Sequence, residues 1–472
     1  MSNLSALRNA GLTDEESELI AAGVQRIEAK ALRNLVRSRY YDGKQRVKNL
    51  GIAVPPPLAT IETVVGWPST VVDSLEERLD IDSFDVVDAD VDSLGIDEWW
   101  MANNGPVDSG MAILDSLIYG VTFAAISPGG PGEPDQLLTI EPATTMTGAW
   151  NARRRRLTSA VHAGWSLDGQ LSNVTLWTDT HVVECEYDPQ GGWQVTKYLH
   201  GLDRPPVVPL INKPRTGRPW GSSEISRAVM GYTDAAVRTL LGMEVAREFY
   251  SSPQRWIMGA DEESFQDQNG NPLPAWEAYL GRFLALSKKD GEENPQVGQF
   301  TASSPAPYVE QVKLLAELLA AEGAMPVTYL GFHTQNPPGG DGIRAQETRL
   351  VKRAERRQRV LGGAFAELVR LMLLMRDGSA PTRIVTRWRD PSTPTKAATA
   401  DAVSKYVAAG VLYPDSDVTR EMIGFDPLTR QRLADEDRRR RSRAMTEALA
   451  SAAGRLSNMP AAVEDADDGR DR

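Results

Sequence analysis

Cysteine is nearly absent from this sequence, since Cys185 is the only one in 472 residues. A single thiol excludes an internal disulfide framework and any zinc site built from several cysteines. Histidine is scarce too: the four residues His162, His181, His200 and His333 share no metal-ligand spacing. We therefore expect neither a bound metal nor another cofactor.

Positive charge is in deficit along the chain. It has 52 Lys and Arg against 64 Asp and Glu, which gives a formal net charge of −12. Such a surface opposes wholesale attraction to nucleic-acid phosphates. The bases are mainly arginine, and some gather at residues 153–156 and at Arg438, Arg439, Arg440 and Arg441. Both runs could contact phosphates, although solvated charges or ion pairs between subunits are the favoured interpretation.

The sequence also lacks a long apolar segment. Its most apolar stretch, residues 110–127, contains Asp115 and has Gly120 in the middle. This pattern favours a buried helix leading into a buried strand over a membrane span. Residues 1–19 mix acidic and apolar side chains, so no secretory signal is predicted. We expect a soluble protein with no membrane partner.

Motifs for catalysis are missing as well. Residues 339–342 have the glycines of a phosphate-binding loop, but they contain no lysine and carry Asp341 where phosphate would sit. A flexible loop is therefore the favoured interpretation. No Gly-x-Ser-x-Gly elbow occurs, and Ser222 and Ser223 fit the capping of a helix better than nucleophilic attack. The sequence predicts a protein that is not an enzyme.

What the sequence does contain is a pattern typical of an α+β protein. Period-two alternation between residues 136 and 208 predicts meander strands at residues 171–177, 182–187 and 193–198. The other predicted elements are helices at residues 14–38 (with a Thr13–Glu16 capping box), 71–79, 223–250, 401–409 and 429–453, a strand-like stretch to residue 92 and a strand at 382–388.

A predicted helical hairpin at residues 305–376 is the candidate functional segment. Apolar residues three and four apart predict a first helix that ends before Pro326. A second helical pattern runs from Asp341 to Arg376, and residues 332–340 between the two are almost free of charge. Two long helices that fold back around a small uncharged tip would make a projecting segment.

Seven short signatures follow one another along the chain. They are residues 40–43 (YYDG), 71–73 (VVD), 115–120 (DSLIYG), 209–212 (PLIN), 220–225 (WGSSEI), 326–331 (PVTYLG) and 388–391 (WRDP). In this order the chain resembles the portal proteins of tailed double-stranded DNA bacteriophages, of the type common in long-tailed phages. The resemblance spans about residues 35–455.

The resemblance implies an α+β phage portal fold with a wing, stem, clip and crown, whose long helices surround the central channel of a ring oligomer. Mapped by order, the parts are the N-terminal wing (1–222), first stem helix (223–250), clip (251–304), second stem helix (305–330), tunnel loop (331–342), wing long helix and strand (343–395), crown (396–455) and a disordered tail (456–472).

The resemblance further implies a dodecameric ring at one capsid vertex, which is the channel for DNA packaging and ejection. The partners it implies are double-stranded DNA, the terminase large subunit, a head–tail adaptor, and the major capsid and scaffolding proteins. The protein would be part of the virion, assembled in the host cytoplasm, without catalysis of its own. The tunnel loop would touch DNA through Phe332, His333, Thr334, Gln335 and Asn336.

Two other hypotheses compete with this one. A nucleic-acid-binding factor acting through the arginine runs would bind duplexes tightly as an isolated subunit, which the net charge disfavours. A packaging or head-processing enzyme would need an ATPase or protease constellation, which the motif search does not find.

Overall fold

The computed structural model describes residues 7, 10–45, 63–87, 91–251, 255–258, 296–299, 304–332, 340–392, 396–425 and 427–457. The chain divides into two compact units, Met1–Pro391 and Ser392–Arg472. Helices and antiparallel strands both contribute, so the predicted α+β class is confirmed.

The described helices are long and mostly amphipathic. In the first unit they are α1 (Asp14–Tyr41), α2 (Trp67–Glu76), α3 (Ile96–Ala102), α4 (Gly105–Tyr119), α5 (Arg227–Ser251), α6 (Ala306–Gly323) and α7 (Gly340–Asp377). The second unit contains α8 (Lys396–Ala408), α9 (Asp417–Ile423) and α10 (Pro427–Ser457). Short 3-10 helices occur at Asp92–Leu94 and Val327–Leu330. The two helices of the predicted hairpin are α6 and α7, which confirms the periodicity argument.

Four antiparallel sheets are described, all within the first unit. Their strands are β1 (Ile81–Val86), β2 (Val121–Pro128), β3 (Gln136–Pro142), β4 (Met146–Asn151), β5 (Arg156–Trp165), β6 (Leu171–Trp177), β7 (His181–Asp188), β8 (Gly192–Leu199), β9 (Val207–Ile211), β10 (Arg255–Met258), β11 (Gln296–Gln299) and β12 (Ile384–Trp388). The strand orders are β1-β12, β10-β11, β3-β2-β9 and β4-β5-β6-β7-β8. The five-stranded sheet is the meander that the sequence predicts.

Helix α1 begins at the predicted capping box. The Thr13 hydroxyl accepts a hydrogen bond from the Glu16 amide at 3.2 Å, and the Thr13 amide donates to Glu16 Oε2 at 2.7 Å. The helix then packs across the meander, where Ile20 and Val24 share a core with Val161. Gly23 permits this close approach, because a Cβ there would lie 2.6 Å from Val161 Cβ.

The larger core lies where α4 and α7 cover the three-stranded sheet. Leu117 of α4, Ala124 and Leu210 of the sheet, and Phe365 of α7 are all buried in it. Between α4 and β2 the chain turns at Gly120, whose φ of 99° is in the left-handed region that favours glycine. The predicted buried helix followed by a buried strand is therefore confirmed.

The prediction that Ser222 or Ser223 caps α5 is wrong. Helix α5 begins at Arg227, and the capping hydroxyl is that of Ser226, which accepts from the Val229 amide at 3.2 Å. The preceding residues cannot join the helix because the buried Glu224 side chain is held by partners outside it, as described below.

Several other boundaries also differ from the predictions. Helix α2 begins at Trp67 and ends at Glu76, since Pro68 fits the first helical turn. Strand β1 ends at Val86, within the predicted strand-like stretch; residues 88–90 of that stretch lie outside the described residues, and a 3-10 helix begins at its last residue, Asp92. Helix α9 was not predicted, because its seven residues are too few to show periodicity. Gly340 begins α7, so the last part of the predicted loop is helical.

Candidate channel segment and its anchoring junction

The predicted tunnel loop leaves the core from a well-defined base. Helix α6 ends where Ala324 adopts a φ of 57° and the Met325 amide donates to the Ala320 carbonyl at 3.0 Å. Pro326 prevents further helix, and Gly331 turns the chain with a φ of 84°. The predicted stop before Pro326 is thus confirmed.

Phe332 lies at this base, half-buried against the main core. Its side chain therefore packs partly against the scaffold, and its predicted contact with DNA stays a prediction. His333, Thr334, Gln335 and Asn336 lie outside the described residues, so their predicted contact with DNA stays a prediction.

A tyrosine, a glutamate and an arginine fix the loop base to two neighbouring helices. Tyr329 Oη donates to Glu347 Oε1 of α7 at 2.6 Å and accepts from Arg78 Nη2, just beyond α2, at 2.9 Å. The same arginine is 3.3 Å from Glu347 Oε1, and both of these charged side chains are largely buried. Burial and the Glu347 carboxylate both raise the pKa of Tyr329, so it remains a neutral hydrogen-bond donor.

A second buried junction lies where α5, α6 and α7 meet. Glu224 is 3% exposed, and its carboxylate accepts from Arg357 Nη2 at 2.7 Å and from Arg353 Nη2. Asn212 Nδ2 donates to it at 3.0 Å, and Lys213 Nζ lies 3.5 Å away. The site therefore sets one buried anion among three cations and an amide.

The electrostatic balance at this junction favours the charged form of Glu224. Burial alone would raise the pKa of this carboxyl, but the charges of Arg353, Arg357 and Lys213 outweigh it and lower the pKa to about 2. Removing the carboxylate, which is the one anion of this group, would leave the buried guanidinium groups without compensation, which is strongly destabilising.

Arg353 extends the junction to the end of α6. Its Nη1 donates to the Glu322 carbonyl at 2.9 Å and also to the Gly323 carbonyl, two of the carbonyls that α6 itself leaves without partners. Ser226 Oγ, at the start of α5, donates to Glu322 Oε1 at 3.0 Å. Because the start of α5 meets the end of α6, the two helices run antiparallel.

Sequence reasoning missed this junction. The predicted helix at residues 223–250 includes Glu224, and nothing in the local pattern of this residue marks burial. The four-residue spacing of Arg353 and Arg357 places both on one face of α7, which is the only local signal of a shared anion. Their partner lies 129 residues from Arg353 in sequence.

In the arginine run at residues 153–156, Arg156 has an acidic partner, and the backbone amides of two others hold the turn. Asn151 Oδ1 accepts from the amides of Arg153 and Arg154 at 3.0 Å in the β4–β5 turn, while Arg156 pairs with Asp203 at 3.2 Å.

In the second unit, three of the four predicted phosphate contacts face carboxylates. Arg438 pairs with Asp435, Arg440 lies 3.0 Å from Asp437, and Arg441 lies 3.8 Å from Asp415. All of these arginines are exposed on α10, as is Arg439. Their contact with phosphates is untested and stays a prediction.

The described histidines also have local partners. His162 lies 3.3 Å from Glu141, His181 lies 2.9 Å from Glu16, and His200 Nε2 lies 3.1 Å from the Thr178 carbonyl. Over the part of the chain that the structure describes, there is no group of three or more ligating side chains suited to a metal ion. Within the same residues, no helix has the length and apolar character needed to cross a membrane.

Comparison with known proteins shows which family this chain matches. The family model described as "Phage portal protein, SPP1 Gp6-like" matches residues 25–416. The portal protein of Mycobacterium phage L5 is 32% identical over 383 residues, covering 79% of this chain and 78% of the phage protein. The portal protein of Mycobacterium phage D29 is 32% identical over 406 residues, covering 84% and 83% respectively.

Solved structures give more distant matches. A chain from the virion of a native gene transfer agent particle has a TM-score of 0.46 at 14% identity, with 84% of this chain and 94% of that chain covered. A chain from the neck of a native gene transfer agent particle, computed with C12 symmetry, has a TM-score of 0.44 at 14% identity and the same coverage. The family model and the two mycobacteriophage proteins together establish that this chain belongs to the SPP1 Gp6-like family of phage portal proteins.

Proposed function

We propose that this protein forms a dodecameric portal ring at one vertex of a tailed-phage capsid and that double-stranded DNA passes through its centre. The observation that carries the proposal is the family match over residues 25–416. The ring is a structural conduit without catalysis of its own, assembled in the host cytoplasm and retained in the virion.

The helix junction supports this function because a conduit under load needs a rigid frame. Helices α5 and α6 form the antiparallel stem, and Arg353 ties the end of α6 to Glu224 and to α7. In this assignment residues 1–222 and 343–395 form the wing, and residues 251–304 form the clip. Residues 396–455 form the crown.

The tunnel loop is the DNA contact in this proposal. Its base is held at Tyr329 and at Glu347, so the intervening residues can project while both ends stay fixed. Residues 332–340 carry no acidic, lysine or arginine side chain. Such a loop touches DNA without a strong phosphate clamp, which suits translocation.

The clip is the proposed docking platform for the terminase large subunit and later for a head–tail adaptor. The wing and crown would meet the major capsid and scaffolding proteins. Its composition gives the clip eight acidic and four basic residues, so these partners should present basic surfaces to it.

Electron microscopy of the purified full chain tests the ring directly. Class averages should show annular particles with twelve-fold symmetry, and mass photometry should give the matching mass. Monomers that persist at every concentration, with and without scaffolding protein, would contradict the proposal.

A loop variant tests the DNA contact separately. The double variant Gln335→Lys, Asn336→Lys should assemble normally but package less DNA, because two cations per subunit would grip passing phosphates. The matched control is Gln194→Lys, Thr196→Lys, which adds the same charge to an exposed part of β8. Equal packaging yields in the two variants would remove the loop from the mechanism.

A further inference from the structure

One surface of the first unit carries positive charge without acidic partners. Along α1, Arg26, Lys30, Arg33 and Arg37 follow at intervals of four, three and four residues, which places them on one side of the helix. Arg218 joins them from the turn between β9 and α5. Within the described residues, none of the five forms an ion pair.

These cations act on one another in the isolated subunit. Burial, followed by Arg33 and Arg26, lowers the pKa of Lys30. Burial, followed by Arg33 and Arg218, lowers the pKa of Arg37 to about 10. Arg37 is 9% exposed, and its guanidinium donates to the Tyr119 carbonyl at 2.6 Å. An acidic partner would reduce the repulsion among these cations, which have no acidic partner among the described residues.

An apolar groove of about 1320 Å³ continues from this cationic side. Two tryptophan rings connect the cationic side to the groove. Lys30 Nζ lies 5.6 Å from the centre of the Trp220 ring, and the centre of that ring lies 6.1 Å from the centre of the Trp150 ring in the groove wall. The groove runs along the edge strand β9, between the β4–β5 turn and α7. Its apolar lining includes Pro205, Val207, Pro209, Ile211, Val360 and Leu371.

The groove rim repeats the unbalanced charge. Arg154, Arg155 and Arg215 are exposed at the groove, and none forms an ion pair among the described residues. An apolar floor with arginine and tryptophan around it is typical of a protein interface, whereas nucleic-acid interfaces are more polar. Pro209 in the edge strand disfavours the addition of another strand, so the occupant is better supplied by a helix face.

The same chain has a helix face of matching chemistry on α4. Val107, Asp108, Met111 and Asp115 fall on one side of this helix, and the two apolar residues are 55% and 51% exposed. Asp108 and Asp115 have no basic partner among the described residues. Burial raises the pKa of Asp115 to about 6, as expected for a carboxylate that lacks a cation in the lone subunit.

We infer that the arginine-rimmed groove of one copy receives the acidic face of α4 from the next copy. The contact joins two different surfaces, so it repeats head to tail and closes a ring when the rotation permits. The net charge of −12 favours the approach of a second copy to a basic groove in general, and the apolar and acidic side chains of α4 supply the specific match. This inference rests on the proposed ring.

Charge-reversed variants of the full chain test the contact by mass photometry. The groove variant Arg154→Glu, Arg215→Glu and the helix variant Asp108→Arg, Asp115→Arg should each lose at least tenfold in ring yield. Combining all four changes in one chain should restore rings. An equimolar mixture of the two double variants should also restore rings in which the two alternate, because an original groove meets an original α4 face at one contact and the two charge-reversed surfaces meet at the next.

Controls separate this inference from the ring proposal. If the wild-type chain forms no ring, the proposed function fails; if wild type and both variants form rings equally well, only the docking inference fails. Far-UV circular dichroism checks folding, and a Thr216→Cys, Met111→Cys chain should give crosslinked ladders with a bis-maleimide even if the charge variants misfold. Absence of such ladders in assembled rings would also overturn the inference. Rings that are intact but have lost DNA or scaffolding-protein binding would assign the groove to that partner instead.

Discussion

The buried junction around Glu224 makes the sharpest prediction about stability. Glu224→Gln keeps the size of the side chain but removes the charge that Arg353 and Arg357 share. Both guanidinium groups would then stay near the core without an anion, and the new amide would place N–H donors against donors.

The expected loss can be worked from the pKa of Glu224. A shift from 4.5 to about 2 corresponds to about 3 kcal/mol in favour of the ionised form in the folded state. Losing one partner of a buried ion pair costs about 3–5 kcal/mol in general. The two routes agree, so we expect the free energy of unfolding of the first unit to fall by about 3–4 kcal/mol at pH 7.

Tryptophan fluorescence during urea unfolding is the appropriate assay. All 11 tryptophans lie between Trp67 and Trp388, so the signal reports the first unit and not the second. The matched control is Glu355→Gln, an exposed carboxylate on the same helix α7. A loss below about 1 kcal/mol, or a loss equal to that of the control, would refute the reasoning.

The dependence on pH supplies an independent check of the same junction. Because the folded pKa of Glu224 is depressed, its stabilisation is fully present above about pH 4.5 and is lost as pH falls toward about 2. The difference between wild type and Glu224→Gln should therefore shrink across that range. A difference that stays constant from pH 7 to pH 2.5 would mean that the charge is not the source of the stability.

Three further predictions concern single side chains. Burial raises the pKa of Asp115 to about 6, so the wild type loses stability as pH rises from about 4 to 6. Asp115→Asn should therefore stabilise the monomer by up to about 3 kcal/mol at pH 8, and urea unfolding should show no such gain at pH 4. Thr13→Ala should cost about 1 kcal/mol through the lost cap of α1, and Thr13→Ser should recover most of it in the same assay. Tyr329→Phe removes about 1–2 kcal/mol of hydrogen bonding at the loop base, so it should increase the rate of chymotryptic cleavage after Phe332 several-fold. An unchanged cleavage rate would show that this tyrosine does not hold the loop.

Elements with strong periodicity could be predicted from sequence because their burial pattern is local. The α6–α7 hairpin, the meander and the Thr13 cap all follow from residues within a few positions of one another. The start of α5 could not be predicted, since Glu224 leaves the helix for partners on α7 that are distant in sequence. The same limitation hid the Tyr329–Glu347–Arg78 group, in which the tyrosine and the arginine lie 251 residues apart.

The candidate site was predictable only in outline. The uncharged composition of residues 332–340 is visible in the sequence, and so is the proline that ends α6. That Phe332 packs against the core is a tertiary property, because an exposed aromatic and a half-buried one have the same local sequence pattern. The cations of α1 and the β9 groove come together only through folding, so the contact proposed for them has no signature along the chain.

The burial of the Glu224 junction has a consequence for ionic strength. Mobile ions screen exposed charge pairs within a Debye length of about 8 Å at physiological salt, but they cannot enter the space around a carboxylate that is 3% exposed. The joint between α5, α6 and α7 should therefore keep its strength in concentrated salt, whereas exposed pairs such as Lys405–Asp401 weaken. If the proposed ring conducts DNA, the joint between these helices would therefore be insensitive to the counterions that accompany the DNA.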